Sequence, residues 1–265
     1  MLKIIQRLWQ TTWAEQWQYR ANLLMYLLYW LVSPIVYLAV WTSVANSKGS
    51  VGGYTANDFV VYYMLLLLVD QLTSNITIHI FPYKIQDGTL SSELIRPIHP
   101  LLTNTLVTNV AHKVLNIMVL LPVWGLLWFL FQPDFSGVTW QGIGLALPII
   151  VVSFFISFLL SATISCMAFW TTRVYSLHEF YFAFFLLCSG QFVPLKLMPA
   201  FVQNMAEWLP FQLALYFPIE LIRGTLTPEE ILHGYLLSAI WLAVSYALFR
   251  WIWRAGLKQY SAVGA

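Results

Sequence analysis

Charge is scarce in this sequence. Lysine, arginine, aspartate and glutamate make up 9% of its 265 residues, while hydrophobic residues make up 60% and aromatic ones 17%. Soluble domains carry about 25% charged residues. With a mean hydropathy of +0.72, a water-soluble fold of this length is excluded, because it would leave too many apolar side chains facing water. The net charge of +2 is too small to draw in a nucleic acid, and none is expected as a partner. Cysteine is limited to Cys166 and Cys188, both inside apolar runs, where small buried thiols are expected rather than a structural disulfide. The five histidines, His79, His99, His112, His178 and His233, show no His-x-x-x-His or other metal spacing, so no metal site is expected. There is no G-x-x-x-x-G-K-[ST] loop. The chain is therefore expected to be no enzyme and to hold no cofactor of its own. Met1 to Arg20 has no short apolar core followed by a small-residue cleavage site, so no cleavable signal is expected there.

What the sequence does have is long apolar runs. A helix needs about 20 mostly apolar residues to cross a bilayer. The first such run is Ala21 to Ala45, and the second is Phe59 to Phe81, interrupted by Asp70. The third ends near Phe131 and begins between Leu101 and Val114. The fourth covers Gly142 to Trp170, the fifth starts near Phe180 and loses its pattern at Pro194, and the sixth runs from Ile231 to Trp253. No linker, low-complexity tract, repeat or long soluble domain separates them. The expected fold is all-α: a polytopic membrane protein of about six transmembrane helices, forming one transmembrane domain over 1–265.

With six spans both termini share a side. That side receives ten basic residues, Lys3, Arg7, Arg20, Lys84, Arg96, Lys113, Arg173, Arg250, Arg254 and Lys258, against three, Lys48, Lys196 and Arg223, on the other. The asymmetry puts both termini in the cytoplasm, with Lys113 snorkelling to the interface. Residues 1–20 do not span. Trp9, Trp13 and Trp17 recur every four residues on one helical face. Either this interfacial helix lays its indoles at headgroup level, or the stripe packs on the protein itself.

Several polar features interrupt the apolar background. In the loop over 87–100, Gly88 can end the second helix. Thr89 can cap a short helix running to Arg96, and Pro97 stops it. Leu90, Leu94 and Ile95 would then be available to a partner, and Glu93 and Arg96 could either pair with each other or form rim contacts with that partner. Alternatively the loop is a tight connector. Ser153, Ser157, Ser161 and Ser165 recur every four residues, which allows close helix packing or lines a polar pathway. Asp70, near mid-span, must face protein or water, as a buried partner or as part of a pathway or gate. Glu220 and Arg223 are spaced to pair. Prolines 194, 199, 210 and 218 forbid one long helix over 194–224. Irregular backbone at membrane depth must be buried in protein or line a wet cavity.

Taken together these motifs resemble a known family. The run Asp87-Gly88-Thr89-Leu90 followed by Leu94-Ile95-Arg96-Pro97 is similar to the signature of permease subunits of type-two ABC exporters. So is Phe192-Val193-Pro194-Leu195 with Met198-Pro199, Leu209-Pro210-Phe211 and Tyr216-Phe217-Pro218. The ending Gly256-Leu257-Lys258-Gln259-Tyr260-Ser261-Ala262-Val263-Gly264 also resembles the family's. The resemblance implies a half-transporter in an inner, cytoplasmic membrane. It would pair with a second permease, identical or related, and with two ATP-binding subunits that hold ATP and Mg. Gly88, Leu90, Glu93, Leu94, Ile95, Arg96 and Pro97 would form a coupling helix against the ATPase. Arg173, Ser176, His178 and Glu179 would make a second, smaller contact. The N-terminal helix would be the family's connecting helix, and 194–224 would fold as short external helices. Asp70, Phe192, Pro194, Phe211, Phe217 and Glu220 are the candidate pathway or gate residues.

The function these readings imply is ATP-driven export of an amphipathic or lipid-like substrate, which suits an apolar, aromatic interior. A passive channel or flippase without ATPase subunits is the alternative. An intramembrane enzyme is a weaker one, because Ser189-Gly190 has no suitably placed histidine in the sequence.

Overall fold

The computed structural model describes residues 2–18 and 20–260. Twelve α-helices are seen among them. In chain order they are α1 Leu2–Gln18, α2 Arg20–Lys48, α3 Ala56–Thr73, α4 Phe81–Gln86, α5 Leu90–Leu94 and α6 Leu106–Phe131, then α7 Trp140–Cys166, α8 Val174–Cys188, α9 Ala200–Trp208, α10 Phe211–Ala214, α11 Tyr216–Arg223 and α12 Pro228–Gln259. No strand occurs among the described residues. An isolated bridge between Val51 and Tyr54 closes the α2–α3 turn.

Among the described residues three helices are long and apolar enough to cross a membrane: α6, α7 with its terminal 310 turn through Phe169, and α12. α3 and the segment Thr77–Gln86 meet the same requirement together, bent by 53°, as a broken span or a re-entrant loop. α2 is 29 residues long and carries Pro34 inside it. α8 has 15 residues, about 22 Å at 1.5 Å per residue, too short for a hydrocarbon core of about 30 Å. All-α and membrane-spanning are thus as expected, and span five has a different form. It begins at Val174, six residues before Phe180, and already ends at Cys188. Gly190 follows with a φ of +82°, which turns the chain away.

Helix ends follow local chemistry. Thr55 and Asp58 form a capping box on α3, and Thr227 and Glu230 form another on α12, each joining a threonine hydroxyl to one backbone amide and a carboxylate to another. The main apolar core is built around α3, whose Phe59, Tyr62, Tyr63, Met64 and Leu66 are fully buried against α2, α7 and α11. A second core lies at the other end of the molecule, where Phe81, Ile85, Leu90 and Leu101 meet Phe154, Phe158, Phe249 and Trp253. α12 runs along α7 between the two. α1 packs on α6, with Thr12 buried and Trp17 57% exposed. Trp9 and Trp13 are half-buried with ring centroids 6.0 Å apart, so the stripe divides: its first two members pack and its third faces out. The last residues of the C-terminal resemblance, 261–264, lie outside the described residues.

Candidate functional site

The short helix α5 sits where α4 ends. Gly88 adopts a φ of +81° and terminates α4. Thr89 is not the cap expected of it, because its own side chain makes no capping hydrogen bond to α5. Its hydroxyl and its backbone amide both donate to Asp87 Oδ1, at 2.8 and 3.0 Å. These bonds hold the Asp87 carboxyl below the usual carboxylate range. The helix covers five residues and ends at Leu94 rather than Arg96, since Pro97 bars α geometry in the residue before it.

Leu90 is fully buried in the second core and so is not available to a partner. Leu94 is 36% and Ile95 86% exposed. The expected Glu93–Arg96 pair gives way to a tighter one, with Lys84 Nζ of α4 donating to Glu93 Oε1 at 2.7 Å in a largely buried position. Tyr260, just past the end of α12, donates its hydroxyl to the Gly88 carbonyl at 3.1 Å and lies 3.0 Å from Ser91 Oγ. α5 is therefore clamped to α4 by an ion pair, to α7 and α12 through Leu90, and to the end of α12 through Tyr260, while Leu94 and Ile95 face outward.

The second site is the break in the α3–α4 span. Residues 74–76 leave helical geometry, which frees backbone groups that an apolar environment cannot satisfy. α6 supplies their partners from one face. Asn109 Oδ1 accepts from Ile76 N at 2.8 Å. Lys113, one turn on, donates Nζ to the carbonyls of Gln71, at 3.1 Å, and Ser74. Asn116 Nδ2 donates to Gln71 Oε1 at 2.9 Å. The ammonium of Lys113 also lies 4.6 Å from the centre of the Phe154 ring. Lys113 is thus used inside the protein rather than snorkelling out. Beside this ladder a cleft is lined by Asp70, Ser157 and Ser161 and, among its aromatic residues, by Trp30, Tyr181 and Phe185.

A family model described as ABC-2 family transporter protein matches residues 30–264. The chain belongs to that family. No match was found among curated proteins.

The other residues expected at functional sites of an ABC-2 protein fall in separate places. Arg173, Ser176 and Glu179 are exposed at the start of α8. His178 points inward instead, stacked on Tyr181 at 6.3 Å and lining the Asp70 cleft. Of the candidate pathway residues, Asp70 is buried at the break, and Phe211 borders its cleft through Tyr181 and Phe185, with ring centroids 5.3 and 6.3 Å away. Phe192 and Pro194 lie towards the opposite end from α5. There the Phe192 carbonyl accepts from Tyr63 OH at 2.7 Å and Trp41 Nε1 at 3.2 Å. Phe217 packs under α12 against Tyr235 and Gly234, where a Cβ on the glycine would come within 2.2 Å of the Phe217 ring. Glu220 is a buried junction: it accepts from Tyr54 OH at 3.1 Å, from Arg223 Nη1 at 2.8 Å and from the Thr225 hydroxyl. The expected Glu220–Arg223 pair is present, and Arg223 extends it to Asp58 at 2.8 Å. The stretch 194–224 folds as α9, α10 and α11 with a 310 turn at Leu195–Leu197.

The serine stripe splits between the two roles open to it. Ser153 Oγ donates to the Leu213 carbonyl and Ser165 Oγ to that of Ser161, both at 2.6 Å, which are packing roles. Ser157 and Ser161 face the cleft. Sequence reasoning missed Lys84, Asn109, Asn116 and Tyr260. For Asn109 and Asn116 the signal was their recurrence with Lys113 at helical spacing in an otherwise apolar run.

Proposed function

We propose that this ABC-2 protein is the membrane-spanning permease of an ATP-driven exporter. It works with a second permease, identical or related, and with ATP-binding subunits that carry ATP and Mg. α5 is the docking element for those subunits, and the exposed start of α8 is a lesser contact. Export of an amphipathic or lipid-like substrate proceeds by alternating access at the interface of the two permeases. The chain crosses the inner membrane six times: α2 and α8 add two crossings to α6, α7, α12 and the bent α3–α4 pair. Both termini and α5 are cytoplasmic, and α9 to α11 lie at the external mouth.

One observation carries this reading. A five-residue helix and the residue that ends it present Leu94 and Ile95 outward while the helix's other face is fixed to α4, α7 and α12. An exposed apolar pair on a rigid element is a contact surface, and its attachment lets force applied there reach the spans. The test is affinity purification of the tagged chain from its native membrane, followed by assay of ATP turnover. Recovery of an ATP-binding chain that is lost on substituting Ile95 supports the proposal. Recovery of a folded permease with no ATPase under mild conditions refutes it and favours a passive channel or flippase.

A further inference from the structure

The cleft at the helix break carries chemistry beyond what transport in general requires. Asp70 is 5% exposed and lines the cleft, and among the described residues its carboxylate takes no hydrogen bond and no ion pair. Lys113 is close enough to act on it electrostatically, but its ammonium is already spent on two carbonyls and the face of Phe154. A buried carboxylate with unused acceptor capacity is costly unless a cation or donors complete it.

Much of the lining is aromatic. Tyr181 and Phe185, four residues apart on α8, stack with planes 27° apart and centroids 6.5 Å apart, His178 stacks on Tyr181, and Trp30 and Phe182 also line the cleft. Aromatic faces attract cations through their quadrupole, and quaternary ammonium groups are recognised by such cages. Ser157 and Ser161 supply hydroxyls beside the carboxylate.

The geometry points to an organic-ammonium site: Asp70 binds the charged head of a single-tailed amphiphile, and Trp30, Tyr181 and Phe185 cage it. On the transporter reading above, on which this rests for its biological meaning, that head belongs to the cargo. Binding itself needs no ATPase, so the two readings fail separately.

The test uses the full-length protein in a neutral glycoside detergent with radiolabelled decyltrimethylammonium. Saturable binding is expected, displaced by unlabelled ammonium and not by decyl sulfate. Asp70→Asn should weaken it at least about 10-fold, with recovery in Asp70→Glu. Tyr181→Leu and Trp30→Leu should each weaken it about 5-fold, and they carry the test if Asp70→Asn does not fold. Competition by a short-chain phosphatidylcholine assigns the ammonium to a lipid headgroup, and its failure to compete assigns it to a free amphiphile. Absence of saturable binding, equal displacement by decyl sulfate, or unchanged affinity in folded Asp70→Asn or in both aromatic variants overturns the site. If binding holds but no ATPase associates with the chain, the site stands and the export reading falls.

Discussion

The α5 surface makes a sharp prediction at Ile95. This side chain is 86% exposed and makes no contribution to either core. Ile95→Asp should therefore leave the isolated permease within about 0.5 kcal/mol of its original stability, as surface substitutions do. If an ATPase groove closes over this residue, two losses arise at once. The apolar burial of an isoleucine, roughly 1.5–3 kcal/mol, disappears, and a carboxylate must be desolvated or the groove held open. A combined loss of about 3 kcal/mol corresponds to roughly 100-fold weaker association at 1.4 kcal/mol per tenfold. The measurement is retention of the ATP-binding chain on tagged permease across a dilution series, with thermal unfolding of the permease alone as control. Normal unfolding with lost retention is the expected result. Full retention in a folded variant would refute docking at α5 and reduce it to a connector.

Three further outcomes follow from other contacts. Leu90→Ala, which opens a hole among Phe81, Phe154 and Trp253, should lower stability by about 2–5 kcal/mol; a shift below 1 kcal/mol in chemical denaturation would contradict the burial. Tyr260→Phe removes the hydroxyl that reaches Gly88 and Ser91 at about 1 kcal/mol, so the complex should assemble with ATP turnover intact but move less substrate per ATP, and an unchanged ratio would argue against the clamp. For topology, cysteine at exposed Ser50 should react with an impermeant maleimide in intact cells and cysteine at exposed Ser92 should not; the reverse pattern would invert the orientation.

The apolar runs made the helical class readable because bilayer-length hydrophobicity is a composition property that needs no knowledge of packing. The break at residues 74–76 was not readable. The segment Thr73-Ser74-Asn75-Ile76 holds no proline or glycine, and what opens it is a set of partners on α6, 33 to 45 residues away in the chain. Leu90 was misplaced for a related reason. On a five-residue helix every residue is near an end, so periodicity does not say which side faces the core, and the choice is made by Phe81 and Trp253. Lys113 was assigned to the interface because charge avoids apolar surroundings, yet two stranded carbonyls provided a nearer destination.

Leu90 ties a surface to a core, and thermodynamic reciprocity turns that into a bookkeeping identity. Whatever binds Leu94 and Ile95 better when α5 is held in place must, by linkage, hold α5 in place by the same factor. Saturating partner should raise the unfolding temperature of the cluster around Phe81, Phe154 and Trp253 although it touches none of them. Conversely, a residue such as Phe249 or Trp253, buried in α12, becomes an affinity determinant for a face it never meets, and natural variation there would tune complex assembly while looking like neutral repacking.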